Sequence, residues 1–211
     1  MRNRWLITLT FVLPLVFLSC DDDDDDAMPP IKLEYVEAFT DSKAVVDHIM
    51  TDGGDRLVPS STITASKGDT IYRCLCQYAI EDGKCNVYGL KTIFSKKPVH
   101  RTPSDTLWTD PLRVSSVWKS ARYVNLSLEL LTTGQGAHAF AFYEDTILTD
   151  DQGKKTAYCS LSHHRIGRDP ESYTENLYLS MPVYDYPSSS IDSVAVTVST
   201  YTGPKRYKFK L

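Results

Sequence analysis

Residues 70–80 and 84–94 are two long runs rich in β-branched and aromatic side chains, separated only by Glu81-Asp82-Gly83. Asp-Gly accepts φ > 0 at both central positions of a two-residue type I′ turn, whose twist matches that of the strands it joins. The spacing therefore predicts a β-hairpin. The rest of the first half reads in the same way. Residues 32–40 alternate, and residues 44–51 form a second run. Asp52-Gly53-Gly54-Asp55 is a turn, after which 56–59 resume as a short strand, and Lys67-Gly68-Asp69 turns again. Five strand-like segments within residues 31–96 fit a small closed or partly open β-barrel.

Residues 97–110 are polar and carry Pro98 and Pro103, which reads as a linker. Strand patterns return at 112–118, 123–132, 138–143, 155–162, 176–181, 193–200 and 206–211. Leu126, Leu128 and Leu130 alternate with Asn125, Ser127 and Glu129, the pattern of a strand buried on one face. Seven short strands over residues 111–211 suggest an antiparallel β-sandwich. The expectation is an all-β protein, and helical periodicity is scarce throughout.

The N-terminus reads as an export signal at residues 1–19. Arg2 and Arg4 precede an apolar run, residues 5–18, that is interrupted by Pro14. The run falls short of the ~20 residues needed to span a bilayer as a helix and has the length of a signal-peptide apolar region. It ends at Leu18-Ser19-Cys20, which resembles a lipobox. Cleavage there leaves Cys20 to carry diacylglycerol and acyl chains such as palmitate, each buried CH₂ contributing about 0.8 kcal/mol to membrane attachment. Asp21, Asp22, Asp23, Asp24, Asp25 and Asp26 follow. Six adjacent carboxylates repel one another and stay extended and solvated, so residues 20–30 form a tether. Acidic residues directly after the lipidated Cys resemble the surface-export signal of Bacteroidetes lipoproteins. That resemblance implies a lipid anchor in the outer membrane with the protein facing the cell exterior.

Cleavage before Cys20 removes two arginines and leaves 21 basic against 27 acidic residues, and the six aspartates account for the whole difference. The body is neutral. Phosphate binding needs a basic excess, so no nucleic-acid partner is expected. Cys74, Cys76, Cys85 and Cys159 remain after Cys20. Cys74 and Cys76 lie on one strand face with Cα atoms about 6.6 Å apart, near the upper limit for a disulfide and with parallel Cβ vectors. A bond between those two is disfavoured, and small buried thiols are the favoured reading. Other pairings stay open.

Several segments resemble the NigD-like family of Bacteroidetes lipoproteins. In the first half these are Thr51-Asp52-Gly53-Gly54-Asp55-Arg56-Leu57-Val58-Pro59, Lys67-Gly68-Asp69 and Val87-Tyr88-Gly89-Leu90-Lys91-Thr92-Ile93. In the second half they are Asp110-Pro111-Leu112-Arg113-Val114-Ser115-Ser116-Val117-Trp118, Tyr123-Val124-Asn125-Leu126 and Leu161-Ser162-His163-His164. The resemblance implies an N-terminal OB-type barrel followed by a β-sandwich. Its namesake was proposed as a bacteriocin-immunity protein. It carries no catalytic residues to transfer.

No catalytic constellation emerges from the residues themselves. His163 and His164, with Asp169 and Glu171 nearby, form the most metal-like group. Adjacent strand residues point to opposite faces, so no metal or other cofactor is assigned. Asp150-Asp151-Gln152-Gly153 lacks calcium-loop spacing and reads as a turn. Asn125-Leu126-Ser127 matches a glycosylation sequon but lies in a strand. The candidate ligand contacts are Trp108, Tyr184 and Tyr186, with Trp118 read as core. The expected role is a non-enzymatic binding or interaction module, its partner an envelope protein, a peptide or a glycan. A bacteriocin-immunity-type protective protein is the alternative.

Overall fold

A computed structural model describes residues 29–134, 136–167 and 173–211. The signal segment, Cys20 and its six aspartates, Asp169 and Glu171 lie outside the described residues.

The first five strands are β1 (Lys32–Thr40), β2 (Val46–Thr51), β3 (Arg56–Leu57), β4 (Ile71–Glu81) and β5 (Lys84–Thr92). They form one sheet in the order β3-β2-β1-β4-β5. The expected hairpin joins β4 to β5: Glu81 pairs with Lys84, and Asp82 and Gly83 both have positive φ, 48° and 73°. A bulge between Gln77 and Tyr78 bends this ladder. The sheet curls far enough for Pro59, just past β3, to bridge Cys85 of β5 in parallel, and Ser60 N–H donates to the Cys85 carbonyl at 2.8 Å. This is a partly closed OB-type barrel. Its interior holds Val36, Ala38, Val46, Ile49, Cys74, Cys76, Tyr78 and Cys85. Gly68 packs so closely on the 41–42 backbone that a Cβ would lie 2.5 Å from the Asp41 carbonyl oxygen.

The remaining strands are β6 (Phe94–Ser95), β7 (Val99–His100), β8 (Arg113–Lys119), β9 (Tyr123–Thr132), β10 (Ala137–Thr149), β11 (Lys155–Ile166), β12 (Tyr173–Pro182), β13 (Ser193–Thr200) and β14 (Gly203–Lys210). They form two sheets, β14-β13-β11-β10-β7 and β6-β12-β9-β8. The leucines of β9 meet Phe142, Leu161, Val194, Val196 and Val198 from the other sheet in one apolar core. Most ladders are antiparallel as expected. Three pairings, β7 with β10, β6 with β12 and β11 with β13, are parallel. Between β11 and β13 the chain crosses to β12 in the opposite sheet, and on its return β13 runs alongside β11.

The stretch expected to be a linker is itself part of the sandwich. β6 joins β12 already at Phe94, and β7 lies inside residues 97–110. Two-residue parallel edge pairings among lysines and prolines leave no periodic trace. β10 also extends well past the expected 138–143. Its hairpin with β11 projects beyond the core, leaving Ile147 and Leu148 exposed, so alternation fails there. Asp150 closes that hairpin: its Oδ1 accepts the N–H groups of Gln152 and Lys154 at 2.9 Å each.

Candidate functional site

The barrel rests on the outer face of the β12-β9-β8 sheet, and the seam between them is polar. Glu37 of β1 and Arg73 of β4 are cross-strand neighbours, and both are buried. The Arg73 guanidinium faces both carboxylate oxygens of Asp52 at 2.7 Å, the Nη1 contact being an ion pair rather than an aligned hydrogen bond. Arg73 also donates to Ser180 Oγ at 3.1 Å and Asn125 Oδ1 at 3.0 Å. Its guanidinium carbon lies 4.0 Å from the ring centre of Tyr123 and 5.5 Å from that of Tyr35. Asn125 Nδ2 returns a bond to Asp52 at 2.9 Å. Beside this group, Glu37 accepts from Tyr123 Oη at 2.5 Å and from Arg122 at 3.1 Å. Tyr35 Oη donates to the Leu126 carbonyl at 3.1 Å. Burial pushes the Tyr35 and Tyr123 hydroxyls well above the ordinary tyrosine range, and the Glu37 bond adds to the shift at Tyr123. These bonds tie the barrel to the sandwich at Asn125, Ser180, Arg122, Tyr123 and Leu126.

Two clefts open along the seam. One, about 430 Å³, is floored by Ser116 and Trp118 of β8, Ser127 of β9 and Tyr178 of β12. These residues share one outer face because Tyr178 pairs with Ser127 and Ser127 with Ser116. The barrel side supplies Leu33, Glu34, Tyr35, Leu75 and the β2–β3 turn with Asp52 and Asp55. Trp118 meets Tyr35 edge to face at 5.1 Å between ring centres, and Tyr178 meets Tyr35 at 6.2 Å. The other cleft, about 380 Å³, is lined by Glu37, Arg73, Lys97, Arg122, Tyr123 and Tyr184 among others. Each of its cations is already matched by a carboxylate: Arg73 by Asp52, Lys97 by Asp185, Arg122 by Glu37.

The sequence candidates scatter over these features. Tyr184 lies in the second cleft, with Lys97 5.1 Å and Arg122 4.7 Å from its ring centre. Tyr186 is packed into the sandwich instead. Its hydroxyl donates to Glu144 at 2.8 Å and touches Cys159 Sγ at 3.6 Å. Trp108 stacks on His164 at 3.7 Å between centres. Its segment lies along β11 through a Thr109–His163 bridge, beyond Leu161, where the β13 pairing stops. Trp118 is 37 % exposed and belongs to the first cleft rather than the core.

His163 is buried, and its Nδ1 lies 2.9 Å from the Asp110 carbonyl oxygen. That acceptor assigns the proton to Nδ1, so Nε2 accepts from His138 Nδ1 at 3.0 Å. Desolvation holds the His163 pKa below its usual value, with the neighbouring His138 and Arg165 adding to the effect against the Asp110 carbonyl. His164 is on the opposite face, as strand geometry requires, 3.6 Å from Asp110 Oδ2. Among the described residues no group of three or more His, Cys, Asp or Glu side chains is placed to hold a metal. Cys74, Cys76, Cys85 and Cys159 are free and buried, and burial raises the Cys76 and Cys159 thiols to about 12.

Arg73, Asp52, Glu37, Tyr35 and Tyr178 were not singled out from the sequence. The available signal was a charged residue set between apolar neighbours in each of two strands, Glu37 between Val36 and Ala38 and Arg73 between Tyr72 and Cys74.

Solved structures of similar architecture come from Bacteroides and Parabacteroides species. A NigD-like immunity protein from Bacteroides caccae superposes with TM-score 0.67 at 23 % identity, covering 87 % of this chain and 98 % of that one. A candidate toxin-related protein from Parabacteroides distasonis gives 0.69 at 18 %, covering 86 % and 93 %. A candidate lipoprotein from Bacteroides fragilis gives 0.59 at 12 %, covering 86 % and 98 %. At these identities the likeness speaks to the fold. No curated protein matches the chain by sequence. Residues 95–211 match the NigD-like C-terminal beta sandwich domain, beginning one residue into β6. The chain belongs to the NigD-like family.

Proposed function

We propose that this is a lipid-anchored outer-membrane protein, displayed on the cell exterior, that works as a non-catalytic binding module. The observation that carries the binding role is the bonded seam, which joins two β domains into one platform with an open aromatic cleft. Clefts between domains with a few polar groups and aromatic walls are common ligand sites. The anchor rests on the apolar run ending at Leu18-Ser19-Cys20, and the outward display on the six aspartates beyond it. The candidate lipoprotein among the structural relatives is consistent with an envelope location.

Cross-linking and pulldown from live cells tests the binding role: a specific partner is expected, and recovery of none refutes it. Cys20→Ala should move the protein to soluble fractions, and membrane retention without lipid label would sink the anchor. Protease treatment of intact cells should remove it together with a known surface lipoprotein. A second reading, a protective factor against a bacteriocin, is favoured by the immunity protein among the structural relatives. A toxin gene beside this one would favour it, whereas a polysaccharide-utilisation cluster would favour general ligand capture.

A further inference from the structure

The last strand concentrates charge. From Ser193 to Leu211 the chain carries four cations, Lys205, Arg206, Lys208 and Lys210, and no Asp or Glu. All four lie on β14, the outermost strand of its sheet, and all are exposed. Among the described residues none of them enters an ion pair. Arg206 donates to Thr197 Oγ1 at 3.2 Å and sits over the Tyr158 ring, both neutral groups. Tyr207 and Phe209 pack on the sandwich core, so Arg206, Lys208 and Lys210 alternate onto the outer face. There they pair with Thr197, Ala195 and Ser193 of β13, which in turn pair with Ser160, Tyr158 and Thr156 of β11. None of these six is acidic. The face therefore carries a row of three unneutralised cations with a repeat of about 6.8 Å.

Lysines on an edge strand keep that edge from pairing with another chain. The same row repels the β14 of a second copy, which leaves a segment of opposite charge as the occupant it fits. The acidic run at residues 21–26 is such a segment. Mutual repulsion extends a block of like charges, and alternate carboxylates on an extended chain recur at about the 6.8 Å repeat of the cations.

The run is also within reach. β14 and β8 meet at one edge of the sandwich, and the start of β1 lies beside β8, where Leu33 lines the cleft floored by Ser116 and Trp118. Asp26 precedes Leu33 by seven residues and Asp21 by twelve, which extended span about 24 Å and about 40 Å. Packed sheets lie about 10 Å apart, so the run can pass round the β8 edge to the outer face of β14.

We propose that residues 21–26 dock along β14, their carboxylates pairing with Arg206, Lys208 and Lys210 and, at the start of the strand, with Lys205. Attachment through a short linker holds the run near the strand at an effective concentration of about millimolar, ahead of an acidic segment from outside. With Cys20 in the membrane, the docked tether holds the β14–β8 edge toward the bilayer. That consequence rests on the anchor proposed above, and the docking itself does not.

Carbodiimide coupling, which joins a carboxylate to an amine only at contact distance, tests the docking. It uses the full chain extracted in a non-ionic detergent, as an equal mixture of ¹⁴N and ¹⁵N protein. After digestion, mass spectrometry should find residues 21–26 joined to Lys205, Lys208 and Lys210 in preference to the exposed Lys67, Lys84 and Lys154, with both halves carrying the same isotope. The preference should vanish in about 1 M salt. Arg206→Gln, at a side chain that carbodiimide does not couple, should lower the yield at Lys208 and Lys210 by about two- to fivefold, with an unchanged circular dichroism spectrum confirming the fold. Even coupling over all exposed lysines would mean a tether that swings free, and mixed-isotope products would make a second copy the occupant. Either result, a preference that survives high salt, or an unchanged yield in Arg206→Gln overturns the proposal. The fractionation of Cys20→Ala bears on the anchor alone, so the two readings fail separately.

Discussion

Replacing Arg73 by Met keeps the aliphatic volume at the seam and removes its charge. The Asp52 carboxylate then loses its bidentate partner and keeps Asn125 Nδ2. Breaking a buried ion pair from one side costs about 3–5 kcal/mol. The Asp52 side chain is 25 % exposed, so water recovers part of that and the expected loss is about 3 kcal/mol. Asp52→Asn strands a guanidinium that is only 3 % exposed but keeps its bonds to Ser180 and Asn125, so the expected loss is at the low end of the same range, about 3 kcal/mol. With both changes no charge is orphaned. The remaining loss is Arg73's bonds to Asn125 and Ser180, about 1 kcal/mol each, and its contact with Tyr123 at 4.0 Å. The double-mutant cycle should therefore give a coupling of about 2 kcal/mol. Urea denaturation, followed by far-ultraviolet circular dichroism and by tryptophan fluorescence, measures it. Because Arg73's bonds to Ser180 and Asn125 span the seam, Arg73→Met should also separate the two probes' transitions, as the domains begin to unfold independently. A coupling below about 0.5 kcal/mol would refute the strength given to the ion pair, and coincident transitions in the variant would refute the assignment of domain coupling to this network.

Acidification should destabilise the protein through His163, whose pKa is lowered in the folded state. The unfolded chain binds the extra proton first, so this contribution is complete above the ordinary value of 6.5 and is lost as pH falls from there toward the folded pKa. The stability gap between the native protein and His163→Gln should shrink between pH 8 and pH 5 in urea titrations, and a constant gap would contradict the burial argument. Cys74, Cys76, Cys85 and Cys159 should resist Ellman's reagent in the native state and react fully on unfolding, since burial disfavours each thiolate. Fast native labelling or fewer than four reactive thiols would show an open barrel or a disulfide. Gly68→Ala would place a Cβ 2.5 Å from the Asp41 carbonyl oxygen and 2.8 Å from that of Ser42. Neither backbone atom can yield cheaply, so a loss of about 1–3 kcal/mol is expected, read as a lower thermal midpoint.

Much of the fold was legible because its determinants are local. Asp82-Gly83 specifies its own turn through two positive φ angles. The strands at 123–132 and 193–200 begin and end where their alternation does. The split faces of His163 and His164 follow from strand geometry alone. Local pattern could not separate Tyr184 from Tyr186, two residues apart in one loop, where only the second finds Glu144 and Cys159 beneath it. Nor could it show that residues 97–110 run along the sandwich, because β7 and the Thr109 bridge are edge pairings without a buried face.

By itself the sequence determined an all-β chain in two parts, the inward leucines of β9 and the neutrality of the body behind an acidic tether. Only the tertiary structure decided what the other face of β9 does. Asn125 occupies a position that alternation assigns to solvent, yet it is fully buried, as is Ser180 beside it. The barrel covers both and delivers Arg73 and Asp52 to them from strands far away in the chain. A polar residue on an outward face carries the same local pattern whether its partner is water or a buried guanidinium, and the difference arises only when a second domain displaces the water.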